Sequence, residues 1–314
     1  MKNLFVTYRR DSEKNPVYNI GPVRDFNADH VFDCGQCFRW RRLEDGSYTG
    51  IASGRIANVA YGDGQVTITG LFGTTEKTDV RDFWIDYLDL NRDYGKIKRR
   101  LKKDDPVMTS AIKEGTGIRI LNQDLWETIV SFIISQNNNI PRIKGCIEGL
   151  ARLAGDPIVG DKDEAYLVPK GNGRMGESVH GLYTLEGLQP YTIPSPEKLA
   201  SMTVEDLAPV KLGYRAKYLI ETAKTVCEKG LPGNMEELNA LTGVGPKVAN
   251  CIGLFGLGLT DSFPIDVWVA RVMSKYYGFK EDDFDGMRAY AEEHFGKFSG
   301  FAQQYLFYHI RQTQ

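Results

Sequence analysis

No apolar run in the sequence is long enough to span a membrane. The first residues, MKNLFVTYRRDSEKN, lack the apolar middle of a secretory signal, so the expected location is intracellular, and cytoplasmic in a prokaryote. Cysteines are few and odd in number: five, at positions 34, 37, 146, 227 and 251. Only the first two lie close together, which argues against a disulfide framework. Histidine is scarcer still, with four residues, none in an H-E-x-x-H pattern. No second C-x-x-C accompanies Cys34 and Cys37, so a regularly spaced zinc site is not expected. A G-x-S-x-G nucleophile elbow is absent. An excess of positive charge is missing too, the net charge being -2. A nucleic-acid ligand would need cations gathered on one face. No period of 20–50 residues repeats.

What is present is an ordinary globular balance, 42% hydrophobic and 25% charged over 314 residues. That suffices for a sizeable core, in two domains or one large one. From residue 36 to about 73 the chain alternates. QCFRWRRL, SYTGIAS, RIANVAYG and QVTITG are short runs broken by Asp45-Gly46, Gly54 and Gly62-Asp63-Gly64. Hairpin turns between period-2 segments predict an antiparallel sheet. These neighbours are wrong for a redox C-x-x-C, which normally opens a helix after a strand.

Beyond residue 80 the spacing turns helical. VRDFWIDYLDLNRDYGKIKRRLKK carries a basic run at its end, read as a solvated helix face rather than a phosphate patch. Asp124 precedes LWETIVSFIIS, whose dense apolar stripe predicts a buried helix. An Asn137-Asn138-Asn139 triplet follows, and Pro141 opens the next helix. Residues 155–195 are rich in Gly, Pro and Asp and read as a long irregular connection. Helices are expected again at PEKLASM, VEDLAPV and RAKYLIETAKTVCEKG.

The strongest local signal is NMEELNALTGVGPKVANC. Asn234 and Glu237 have capping-box spacing. Gly243-Val244-Gly245 makes a tight turn, and Pro246 starts a second helix. The glycine spacing imitates a dinucleotide fingerprint, but a capped helix stands where that fingerprint needs a strand. A helix, a glycine hairpin and a helix remain. Exposed N–H groups and a helix N-terminus suit a phosphate without reading any base. Lys247 and Cys251, four apart, share one face of the second helix. Asp266, in FPIDVW, can cap the helix that follows.

L-T-G-V-G-P-K-V-A followed by P-I-D resembles the signature of the helix-hairpin-helix-GPD DNA glycosylases. Within them, the sequence is most similar to the 8-oxoguanine DNA glycosylase/lyase family. GQCFRW, SFIISQNNNIPRIKG, LGYRAKY, the lysine hairpin and AQQYLF occur in that family's order and span most of the chain. The resemblance implies an α+β protein. A TBP-like antiparallel β domain is expected over 1–115, and a helical catalytic region over 116–314 with the helix-hairpin-helix at 234–257. Cluster-bearing relatives have four clustered C-terminal cysteines. None follows Cys251 here, so the chain resembles the branch without an iron–sulfur cluster. No cofactor is expected, although an ion could bridge the hairpin to a phosphate. The implied partner is duplex DNA containing 8-oxoguanine, bound by a monomer.

The resemblance also implies roles. Lys247 would be the nucleophile that displaces the base and forms a Schiff base. An ordinary lysine is neutral about once in 2,500 at pH 7, so burial or a neighbour must take its proton. Cys251 is that neighbour. Asp266 would stabilise the emerging oxocarbenium. Asn137 would fill the gap left by the extruded base, with Arg142 and Arg215 on the estranged cytosine and Tyr214 wedged beside it. By its residues alone, Tyr214-Arg215 also reads as a helix start with a surface arginine. Gly35 would offer its carbonyl to the N7 hydrogen that 8-oxoguanine has and guanine lacks. Gln303 and Phe307 would bond and stack on the base, though their spacing equally fits core packing. Gly243, Val244 and Gly245 would hold a phosphate. Where the family often has a phosphate-contacting histidine, this chain has Trp268, which carries no charge. The two cysteines of DCGQCFRW are then plain reduced thiols around an informative glycine. Replacing both by serine should largely spare base excision, whereas a bulky residue at Gly35 should damage it, as a duplex-cleavage assay would show.

Overall fold

The computed structural model describes residues 4–12, 15–73, 80–158 and 188–312. Most of the connection expected over 155–195, residues 159–187, lies outside the described residues. Its two ends meet, Ile158 N–H donating to the Pro190 carbonyl and Thr192 N–H to that of Asp156.

The N-terminal half is an antiparallel sheet of β1 (Phe5–Arg10), β2 (Pro16–Gly21), β3 (Trp40–Arg42), β4 (Tyr48–Ala52), β5 (Arg55–Gly62) and β6 (Gln65–Gly73). Their spatial order is β1-β2-β6-β5-β4-β3. A short helix, α1 (Ala28–Phe32), precedes β3, and α2 (Val80–Tyr87) follows β6. Ile20, Trp40, Ala57, Val59 and Ile68 form a core with Phe32, Trp84 and Tyr87 from these helices. The Trp40 ring stacks on Phe32 at 4.2 Å between centroids, and its indole N–H donates to the Tyr87 hydroxyl at 2.9 Å.

The sheet departs from the sequence expectation at both ends. It starts before residue 36: β1 is an edge strand with weak apolar alternation, where Arg9 and Arg10 stay exposed, and β2 joins it to β6. QCFRWRRL contributes only Trp40–Arg42, because Gln36 turns inward to bond the chain near residue 120. The helical run after residue 80 is split into α2 and α3 (Tyr94–Leu101). Asp89 breaks it, with a left-handed φ of 48° and its carboxylate on Arg92 and Tyr94.

After α4 (Pro106–Glu114) come α5 (Leu125–Ser135) and α6 (Ile140–Ala154), capped by Asp124 and Asn139. The rest is α7 (Pro196–Ala200), α8 (Arg215–Lys229), α9 (Met235–Asn239), α10 (Pro246–Gly256), α11 (Val267–Tyr277), α12 (Phe284–His294) and α13 (Ser299–Gln312). VEDLAPV is no α-helix but a turn ending in a 3-10 segment, Ala208–Val210, since Pro209 cannot continue an α-helical ladder. The larger core joins Ile129, Ile133, Leu219, Ile252, Val272 and Tyr305, and reaches back to Tyr94 and Met108 of α3 and α4. Among the described residues no helix is long and apolar enough to cross a membrane.

A buried ion pair joins the two halves. Arg39, just before β3, donates to both carboxylate oxygens of Glu148 on α6, at 3.0 and 3.1 Å. The same Glu148 accepts from Gln189 N–H at 2.7 Å, and Arg39 donates to the Gln189 carbonyl at 2.9 Å. Removing one member of such a pair strands a desolvated charge. Arg39→Ala should therefore cost about 3–5 kcal/mol in urea denaturation.

Candidate active site

The helix-hairpin-helix is formed by α9, a turn and α10. Asn234 Oδ1 accepts from Glu237 N–H at 2.9 Å, and Glu237 Oε2 reaches back to Gly233 N–H at 2.7 Å. The capping box expected from sequence is thus present, with its return bond displaced by one residue. The three hairpin residues differ in what they leave open. Gly243 sits at φ 78°, and an added Cβ would lie 2.3 Å from the Tyr218 ring. Its glycine is required by the packing of α8 on the turn. Val244 is buried in the larger core, which leaves only its backbone to a ligand. Gly245 is exposed at the N-cap of α10, with nothing within 4 Å of where a Cβ would stand. Of the pair expected to allow close approach, Gly245 is the one whose surface is free.

Lys247 follows in the first turn of α10, half-buried, its ammonium 5.6 Å from the centroid of the Phe132 ring on α5. Cys251, one turn on, is fully buried. Burial pushes its thiol up, opposed by the Lys247 charge and a hydrogen bond from that side chain, while Asp266 pushes it further up. Asp266 caps α11 through one oxygen, Oδ1, which accepts from Trp268 N–H at 3.0 Å and Val269 N–H at 2.9 Å. Burial raises its carboxyl above the usual range. The Val269 N–H bond, the Lys247 charge and the Trp268 N–H bond restrain that rise. Trp268 itself has the Arg271 guanidinium 5.1 Å from its ring.

These three groups share a partly open cleft of about 330 Å³ with Gly35, Gln303 and Phe307. Gly35 stands at φ 79°, and an added Cβ would meet the Phe307 ring at 3.1 Å. Its glycine is thus demanded by both backbone and neighbour. Gln303 is buried on α13, as core packing would also have it, yet it and Phe307 line the cleft. Phe132, Phe255, Pro264, Cys34 and Gln304 complete the lining. Sequence reasoning assigned the first three and Gln304 no role. The adjacency of Gln304 to Gln303 in AQQYLF was the available signal; for Phe132 the apolar stripe of α5 gave no reason to single out one ring. Cys34 and Cys37 are free and buried, the Cys34 thiol being pushed up to about 12 by burial.

The expected gap-filling group is assembled at the end of α5, the helix whose Phe132 lines the cleft. Asn137 has a left-handed φ of 45°. Arg142 donates to the Lys211 carbonyl at 3.2 Å. Tyr214 is half exposed, packed edge-on against Tyr218. Arg215 is no surface arginine: it is 4% exposed. Its guanidinium donates to the carbonyls of Gln136, Asn137 and Leu212. In the free protein it therefore holds the asparagine loop instead of presenting an open fork.

A fold of this kind, with a lysine, a cysteine and an aspartate converging beside a glycine hairpin, matches known proteins. Residues 130–297 match the HhH-GPD superfamily of base excision DNA repair proteins, and the chain belongs to that superfamily. Residues 20–129 match the N-terminal domain of 8-oxoguanine DNA glycosylase. The chain is 39% identical to MBOgg1, solved in complex with a low-affinity DNA ligand, with a TM-score of 0.80 over 98% of this chain and 99% of that one. It is 35% identical to the Clostridium acetobutylicum 8-oxoguanine glycosylase/lyase, solved with double-stranded DNA containing cytosine opposite 8-oxoG. The TM-score there is 0.81 over 98% of both chains. A probable N-glycosylase/DNA lyase of Methanothermobacter thermautotrophicus is 29% identical over 67% of this chain and 69% of its own length. The chain is a member of the 8-oxoguanine DNA glycosylase family.

The two hairpin glycines should separate experimentally. Gly243→Ala should lose about 1–3 kcal/mol of stability through backbone strain and the Tyr218 clash. Gly245→Ala should leave the melting temperature nearly unchanged and weaken duplex binding in a titration.

Proposed function

We propose that this chain excises 8-oxoguanine from duplex DNA, preferring cytosine opposite, and then cuts the strand as an AP lyase. The observation that carries this reading is the convergence of Lys247, Cys251 and Asp266 on the cleft lined by Gly35, Gln303 and Phe307. The target base leaves the stack at a cost of a few kcal/mol. Asn137 takes its place, while Tyr214 and Arg142 meet the orphaned cytosine. Arg215 reaches that base only after giving up a bond to the loop carbonyls, so base extrusion and loop rearrangement occur together.

In the cleft, the base stacks on Phe307 and places its N7 hydrogen on the Gly35 carbonyl. Guanine would bring a lone pair there instead, a mismatch worth about 1–3 kcal/mol. Entry of the base excludes water. Lys247 gives up a proton, which ends on the departing base, and its lone pair attacks C1′ as the bond to N9 breaks and its electron pair leaves with the base. Asp266, raised by burial, accepts protons more readily than an ordinary carboxylate and faces the cation forming at the sugar. The sugar ring opens to a Schiff base, from which loss of a C2′ proton expels the 3′ phosphate. No step needs a cofactor. Gly243, Val244 and Gly245 offer backbone to a phosphate, and an ion there would be structural. The enzyme acts as a monomer wherever its DNA lies inside the cell.

A second reading, an alkyl-base glycosylase of the same superfamily, leaves the lysine without a purpose. A binding module without chemistry leaves Lys247 and Asp266 both unexplained. Borohydride treatment with an 8-oxoguanine duplex separates the three. A covalent adduct is expected, absent from Lys247→Gln, with excision opposite cytosine faster than opposite the other bases. Base release without an adduct would overturn the lysine mechanism, and equal rates opposite all four bases would overturn the assigned roles of Arg142 and Arg215.

A further inference from the structure

Gln304 lies beside Gln303 on α13 and is just as deeply buried, 3% against 4% exposed. Its amide nitrogen donates to Gln303 Oε1 at 2.9 Å. Its own oxygen, Oε1, is buried with no hydrogen-bond partner. Such an orphan is costly, and a leucine or methionine of similar size would avoid it. A local reason for keeping the amide is what it does to its neighbour. A glutamine amide can be turned through 180° with little change of shape, exchanging its donor and acceptor faces. Gln304 supplies a donor to Gln303 Oε1 and so leaves the Gln303 NH₂ free for another partner. The Gln303 amide nitrogen takes no bond within the described residues, and the residue lines the cleft.

We infer that Gln304 is a positioning residue that selects 6-oxopurines by holding the Gln303 amide with its NH₂ toward the bound base. This rests on the excision activity proposed above. A donor in the cleft pairs with the carbonyl oxygen at C6 of 8-oxoguanine. The 6-amino group of 8-oxoadenine would bring a donor against a donor. Gly35 cannot make this distinction, because both lesions carry the N7 hydrogen. The two contacts are therefore complementary: Gly35 recognises oxidation at C8, and the glutamine pair recognises the oxygen at C6.

The test is single-turnover excision of 8-oxoguanine and 8-oxoadenine, each opposite cytosine, alongside strand cleavage at a pre-formed abasic site. Two variants are compared with wild type. Gln304→Met keeps the bulk and removes the donor. Gln304→Glu, when ionised, accepts where glutamine donates and so draws the Gln303 NH₂ away from the cleft. Gln304→Met should lower the 8-oxoguanine to 8-oxoadenine rate ratio on the order of tenfold. Gln304→Glu should lower it further, and in both the loss on 8-oxoguanine should exceed any loss at the abasic site. An unchanged ratio in both variants would overturn the inference, as would equal losses on all three substrates. A wild type inactive on 8-oxoguanine would instead overturn the proposed function.

Discussion

The side chain of Gln36 is the constraint on which the cleft depends. It is 1% exposed and bonded at every polar atom. Its nitrogen donates to the carbonyls of Val31 and Arg119, both at 2.8 Å, and its oxygen accepts from Leu121 N–H at 2.9 Å. Gln123 returns a bond to the Gln36 carbonyl at 2.8 Å. The segment between α1 and β3 is thereby stitched to the chain that enters α5. Because the site is dry, losing one of these bonds would leave a buried group unpaired, which costs more than the bond contributes. Gly35 precedes this anchor by one residue. Its position over Phe307, 272 residues later in sequence, follows from it.

The groups proposed to be catalytic show a similar economy. Asp266 and Lys247 both sit at helix starts, α11 and α10, where the backbone presents positive charge. For Asp266 that end is favourable, and the carboxylate doubles as the cap that sets where α11 begins. For an ammonium it is unfavourable, and the Phe132 face and the carboxylate nearby are the compensations. Cys251 is kept as the neutral thiol by burial, so it adds no negative charge that would hold the proton on Lys247.

The parts of this arrangement legible in the sequence are those written locally. Asn234, Pro246, Asp124 and Pro141 mark helix starts because capping and proline geometry involve residues a few positions apart. The α+β architecture and the order of the motifs were legible for the same reason. The parts not legible depend on distant chain. Gln36 in GQCFRW gives no hint that its partners lie near residue 120. Arg215 reads as a surface arginine until α8 is placed against the end of α5, where the carbonyls of Gln136 and Asn137 await it. Of the two turn glycines, sequence could not tell that Tyr218 claims one and leaves the other free. The strand β1 gave no apolar signal because an edge strand can be polar.

The buried cysteines have a consequence for durability. Guanine is oxidised when peroxide and radicals are abundant, and a protein of this family must work in that same chemical weather. Oxidants attack the thiolate far faster than the thiol. With the Cys34 thiol pushed up to about 12 by burial, a thiolate there is scarce at pH 7. Cys37 and Cys251 are raised by burial as well. The cleft proposed to receive the oxidised base is thus lined with two buried thiols, Cys34 and Cys251, in their less oxidisable form.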